Sequence, residues 1–191
     1  LAPVGIFAIV LTPLVGRKVG QWHLRRTTTG AFVVFALVLW MRSHFDTQTD
    51  FWHILVPTLI QGAAMAFFFI PLTTITLSDL PPERIPAAAG LSNFVRIMAG
   101  AMGVSITTTL WDSRAALHHA HLTEGLVQGQ GVFAQTLNGL TSAGLSMEQA
   151  LVQVNRLIDQ QAYTRAADDI FLGSSYLFLL LIGLIWFTQR P

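Results

Sequence analysis

The sequence predicts an all-α membrane protein with five transmembrane helices and one long polar segment between the fourth and the fifth. Two apolar runs, residues 54–77 and 171–187, contain no Lys, Arg, Asp or Glu. About 20 such residues rising 1.5 Å each cross a hydrocarbon core of roughly 30 Å. Of 191 residues, 52% are hydrophobic and 11% charged, with a mean hydropathy of +0.55. A soluble domain carries about 25% charged residues.

The first span covers residues 1–16 and holds Pro3 and Pro13. It opens on Leu1 rather than Met and in mid-pattern, so the chain is expected to be the C-terminal piece of something longer. The second span is about 27–41. The third is about 53–78, with Pro57 and Pro71 inside it; neighbouring helices can satisfy the carbonyls that proline frees. The fourth is about 87–111 and the fifth about 170–188. Trp22, Trp40, Trp52, Trp111 and Trp186 fall near span ends, where amphipathic rings settle at headgroup level.

Arg17, Lys18, Arg25 and Arg26 lie between the first two spans with no acid among them. The positive-inside rule places that loop in the cytoplasm. Alternation then puts residues 42–50 outside, 81–86 inside, 112–169 outside and the C-terminus inside. Residues 125–144, rich in Gly, Gln, Ser and Thr, read as loop. Ser146 with Gln149 fits a capping box. Leu151, Val154, Leu157 and Ile158 recur at helical spacing. A helix is therefore expected over about 146–169, running into the last span.

Zero cysteines exclude disulfides and thiolate chemistry, and a net charge of +1 gives no argument for nucleic acid. No Walker sequence, dinucleotide turn or HExxH is present, so no enzyme and no cofactor is expected. His118, His119 and His121 cluster near Asp112 and Glu124, but a metal site has about one chance in ten against a solvated loop. No span centre carries Asp or Glu, so the carboxylate that a proton-coupled carrier needs would lie outside this chain.

Arg96 is the most unusual residue. It sits about nine residues, or roughly 13 Å, inside the fourth span. A charge there costs about 2.5–3.5 kcal/mol. A wet cavity or an acidic partner on one side, and snorkelling to the interface on the other, weigh equally. Ser92, Arg96, Ala99, Gly103 and Thr107 share its face, with Gly100 beside it and Asn93 next to Ser92. Small residues at this spacing suit close helix packing, favoured two to one over a ligand role. In the third span Gln61, Met65, Phe68, Leu72 and Thr76 stack on one face. Met and Phe suit varied apolar ligands, yet plain core is favoured three to one. The hydroxyls of Thr73, Thr74, Thr76 and Ser78 fit back-bonding to helix carbonyls. Asp79 sits at a span end, placed to pair with Arg84 or the basic loop.

The run FIPLTTITLSDLPPERIPAAAGLSN (69–93), followed by FVRIMAGAMGVSITTTLW, resembles the C-terminal half of major-facilitator drug:proton antiporters of the fourteen-span, EmrB-type branch. LAPVGIFAIVLTPLVGRKV at the start and LHHAHLTE after Trp111 are similar to the same branch. The resemblance implies that the five spans are the last five of fourteen, part of the C-terminal six-helix half of the fold. It implies export of hydrophobic, often toxic compounds against proton influx, across a Gram-negative inner membrane. It also implies a periplasmic adaptor protein and an outer-membrane channel as partners. Candidate pathway residues are then Gln61, Met65, Phe68, Thr76, Asn93 and Arg96. Candidate gating residues are Arg17, Lys18, Arg25, Arg26, Asp79 and Arg84. GRKVGQWHLRR resembles the branch's cytoplasmic gating motif, although Val15 and Gly16 stand where an Asp is expected. The alternative is a non-transporting scaffold or sensor whose external segment binds a partner.

Overall fold

The computed structural model describes residues 5, 9, 11–13, 15–17, 24–47, 49–78, 80–128 and 130–187. The described residues between 5 and 17 are helical. Most of the expected first span, with Lys18, Asp79 and the C-terminal tail, lies outside the described residues.

Five α-helices follow: α1 (Leu24–Arg42), α2 (Phe51–Ser78), α3 (Ile85–Gln128), α4 (Gln130–Ser142) and α5 (Met147–Phe187). A 3-10 turn, Pro82–Arg84, leads into α3 with proline in its first turn, where no helical N–H partner is lost. The helix of α2 continues through Pro57 and Pro71. Three helical stretches among the described residues are long and apolar enough to cross a membrane: Phe51–Ile70, Pro82–Leu126 and Met147–Leu184. The expected span at 27–41 falls within α1.

α1 is the centre of the bundle, with α2 and α5 packed against it. Residues of α1 meet those of α5 in reverse order: Arg42 with Phe171, Ala36 with Ser175, and Phe32 and Phe35 with Phe178. The two helices are therefore antiparallel, and the same order relates α1 to α2 through Arg42–Thr58 and Phe35–Phe68. Four rings close the core. Phe32 lies 5.3 Å from Phe68 and 5.5 Å from Phe178; Phe35 lies 5.9 Å and 5.2 Å from the same two rings. Ala64 fills the gap beside them, and Met65, Leu181 and Ile182 pack around it. The buried Ser175 hydroxyl donates to the Ala36 carbonyl at 2.8 Å, which keeps a polar group satisfied inside the bundle.

Residues 112–169 differ from expectation. α3 runs past Trp111 to Gln128, and α4 covers most of the stretch read as loop at 125–144. Ala115, Ala116, Leu117, Ala120, Leu122, Glu124 and Leu126 are strong helix formers. A glycine inside a helix costs only about 1 kcal/mol relative to alanine, so Gly125, Gly131 and Gly139 do not break it. The true breaker is Gly144. Its φ of +98° ends α4, and Leu145 N–H reaches back to the Leu140 carbonyl, as in a Schellman cap.

The expected capping box is present in full. Gln149 N–H donates to Ser146 Oγ at 3.2 Å, and Ser146 N–H donates to Gln149 Oε1 at 2.9 Å. From there α5 continues without interruption through the polar stretch and the last apolar run. Its buried seam is narrower than the predicted stripe. Ala150, Val154, Ala162 and Ala166 are buried, with Ile158 half-buried between them, whereas Leu151 and Leu157 remain 45% and 47% exposed. Strict four-residue spacing with alanine lets α5 come close to α3, where Ala115 is buried in turn.

Candidate functional site

The site begins with Arg96, eleven residues into α3. Its guanidinium donates to Asn93 Oδ1 at 2.6 Å, one helical turn earlier. It also lies over the Phe69 ring of α2, 5.7 Å from the centroid. Phe69 in turn packs edge-on against Phe68 at 5.1 Å. The chain thus places a cation, an amide and an aromatic face together, and joins them through Phe68 to the four-ring core. Both of the Arg96 contacts are neutral groups. A cation over a ring gains about 0.5–2 kcal/mol, and more where water is scarce.

The other pathway candidates divide. Phe68 and Met65 belong to the aromatic core and its surround. Gln61 is half-buried one turn earlier on α2. Thr73 donates its hydroxyl to the Phe69 carbonyl at 2.8 Å, the back-bonding foreseen for this stretch. The side chains of Thr74, Thr76 and Ser78 lie outside the described residues. Ser92, Ala99, Gly100, Gly103 and Thr107 do not pack against a neighbouring helix. They are exposed, and a side chain added at Gly100 or Gly103 would meet no atom within 4 Å. The expectation of tight helix packing there is not met among the described residues, because residues 89–110 of α3 are all exposed.

Among the gating candidates, Arg17, Arg26 and Arg84 are exposed. Arg84 donates its backbone N–H to the Pro81 carbonyl at 2.9 Å, which closes the 3-10 turn. The side chain of Arg25, with Lys18 and Asp79, lies outside the described residues, so an Asp79–Arg84 pair is not part of this description.

The histidines turn to separate partners. His118 Nε2 meets Asp169 Oδ2 at 2.8 Å, and His119 Nε2 meets Asp159 Oδ1 at 3.3 Å. They fasten α3 to α5, and no group of three His, Asp or Glu among the described residues is arranged to hold a metal ion. Phe69 escaped the sequence reading. Its only signal is its place four residues after Met65 in an FFF run, and that spacing looks the same as core.

These features define a helical membrane protein with a cation set into one of its apolar helices. Along its whole length the chain matches known multidrug-resistance proteins. It is 43% identical over 195 residues to the multidrug export protein EmrB of Escherichia coli, covering all of this chain and 37% of EmrB. It is 38% identical over 190 residues to the fatty acid resistance protein FarB of Neisseria gonorrhoeae, covering all of this chain and 38% of FarB. It is 37% identical over 191 residues to the probable multidrug resistance protein EmrY of Escherichia coli, again covering all of this chain and 37% of EmrY. An uncharacterized MFS-type transporter of Mycobacterium tuberculosis matches 60% of the chain at 29% identity. No family model and no solved structure matches. The chain belongs to the EmrB-type branch of the major-facilitator proteins, and it spans a little over a third of the length of these relatives.

Proposed function

We propose that this chain is the C-terminal part of a proton-coupled exporter of hydrophobic toxic compounds in a bacterial inner membrane. The observation that carries the reading is the match of the whole chain, at 37–43% identity, to relatives named for multidrug export or for resistance to drugs and fatty acids. Asn93, Arg96 and Phe69 line the substrate path in this reading, with Gln61 and Thr76 above and below on α2. The exposed face of α3 over residues 89–114 supports it, since upstream helices of the longer relatives would enclose that face as a cavity wall. The test is to express the full-length protein in a Gram-negative host lacking its own pumps. It should raise tolerance to lipophilic toxicants, and collapse of the proton gradient should abolish the effect. Unchanged tolerance at normal membrane abundance would refute export.

In this proposal residues 42–50 and 112–169 face the periplasm, and the basic loop at 17–26, the 81–86 turn and the C-terminus face the cytoplasm. The chain has no cysteine to compete with a label. Gln128→Cys, at the far end of α3, should react with an impermeant maleimide from the periplasmic side. Labelling only after the inner face is opened would invert the topology.

The periplasmic adaptor, and through it an outer-membrane channel, would then dock on the polar halves of α3 and α5 with α4. Exposed Leu117, Val132, Met147, Leu151, Val152 and Leu157 give that region apolar contact surface. Replacing residues 125–160 in the full exporter with a short Gly/Ser linker should abolish adaptor binding and efflux together. If both survive at normal abundance, the docking surface lies elsewhere.

A further inference from the structure

Where α5 passes from its polar half to its last apolar run, Asp168 and Asp169 sit side by side, and three other elements converge on them. From α3, His118 Nε2 and Arg114 Nη1 approach Asp169 Oδ2 at 2.8 Å and 3.7 Å. From the 43–50 connection, the charges of His44 and Asp46 act on Asp168. Thr47 of the same connection accepts a hydrogen bond from Gln161 of α5 at 3.2 Å. From the end of α1, Arg42 lies 6.0 Å from the Phe171 ring centroid and donates to Thr58 of α2 at 3.2 Å. Next to this junction a cavity of about 390 Å³ is lined by His44, Asp46, Asp50 and His53 over Met41, Phe45 and Pro57. None of these residues belongs to the Arg96 site.

We propose that this junction is a proton-operated clasp: protonated Asp168 lets the 43–50 connection and α3 close on α5, and its ionisation loosens them. The inference goes beyond the export reading and does not depend on it.

Three negative groups crowd one place, Asp168, Asp169 and Asp46. Asp169 is compensated by Arg114 and His118, and Asp46 is engaged by Thr49. Among the described residues, His44 is the counterweight at Asp168. Burial, then the charges of Asp169 and Asp46, push its carboxyl up from the ordinary 3.8 to about 6, against the pull of His44. Asp168 precedes the uncharged run of the last span and lies outside it. A carboxyl raised in the closed form favours that form below 3.8, and the advantage is lost as pH rises through about 6.

The test is hydrogen–deuterium exchange on the full-length protein in lipid nanodiscs at pH 5 and pH 8, corrected for the intrinsic pH dependence of amide exchange. The displacement from 3.8 to about 6 bounds the change in the closed-to-open ratio at about a hundredfold. Solvent screening at this half-exposed position reduces the expected change to about fivefold. Protection of 43–50 and 112–119 should therefore rise about fivefold at pH 5, with 130–142 unchanged. Asp168→Asn, which stays neutral, should show the high protection at both pH values. Equal protection of the wild-type segments at the two pH values would overturn the clasp, whatever the variant does. So would a full wild-type difference retained in Asp168→Asn.

Discussion

Phe35→Ala is expected to lower the abundance and thermal stability of the full-length protein as much as any single truncation in the described bundle. Phe35 is buried in α1 and touches two rings from two other helices, Phe68 of α2 and Phe178 of α5. Each aromatic pair contributes about 0.5–1.5 kcal/mol, so two give about 1–3 kcal/mol. In water a further term would come from returning apolar surface to solvent. In lipid that term is absent, because the tails are as apolar as the side chain, and packing is what remains. Truncation also leaves a void at the point where α1, α2 and α5 meet, and the voided wall loses its dispersion partners outright. Phe35→Leu keeps most of the volume and loses the ring pairs, so it should fall between wild type and Phe35→Ala. The measurement is the melting temperature of purified protein in one detergent, with membrane abundance by blot. Wild-type stability in Phe35→Ala would mean that the four rings do not hold the bundle.

That core shows which parts of the fold a sequence exposes. The long uncharged runs fixed the apolar helices, because lipid allows backbone polar groups no other partner than the helix itself. The Ser146–Gln149 box located the start of α5 to the residue, since both of its bonds are local. Residues 125–144 misled for a physical reason. Gly, Gln, Ser and Thr have loop-like composition, yet the hydroxyls of Thr136 and Thr141 bond back to carbonyls one turn earlier and remain inside a helix. Composition cannot distinguish such a threonine from a loop threonine. Leu151 and Leu157 misled in the same way. Periodicity finds the apolar side of a helix, but alanine at 150, 162 and 166 decides where the partner fits closest. At the candidate site, Arg96 was legible from its cost in lipid, and Asn93 from its spacing. Phe69 was not, because a ring on the preceding helix, 27 residues before the cation it lies beneath, leaves no local pattern.

Arg96→Ala in the full-length protein is expected to cut efflux on the order of tenfold, a change equivalent to about 1.4 kcal/mol, while membrane abundance stays near wild type. Two features lead to this. The guanidinium is bonded to Asn93 and laid over Phe69, both neutral, so a positive charge is positioned but not neutralised by those two contacts. It also stands on an exposed stretch of α3, so little of the bundle rests on it. A charge costs several kcal/mol at this depth, and a purely structural residue would not need one. Arg96→Lys separates the two contributions. Lysine keeps the charge but offers no planar face to Phe69 and no fork to Asn93, so partial efflux is expected from it. Phe69→Leu removes the ring and keeps the bulk, and should weaken efflux less than Arg96→Ala. Export rates of a fluorescent lipophilic substrate, normalised to protein in the membrane, give the comparison. Wild-type rates in Arg96→Ala would reduce the residue to one that snorkels to the interface, and a fall in abundance matching the fall in efflux would assign it to folding instead.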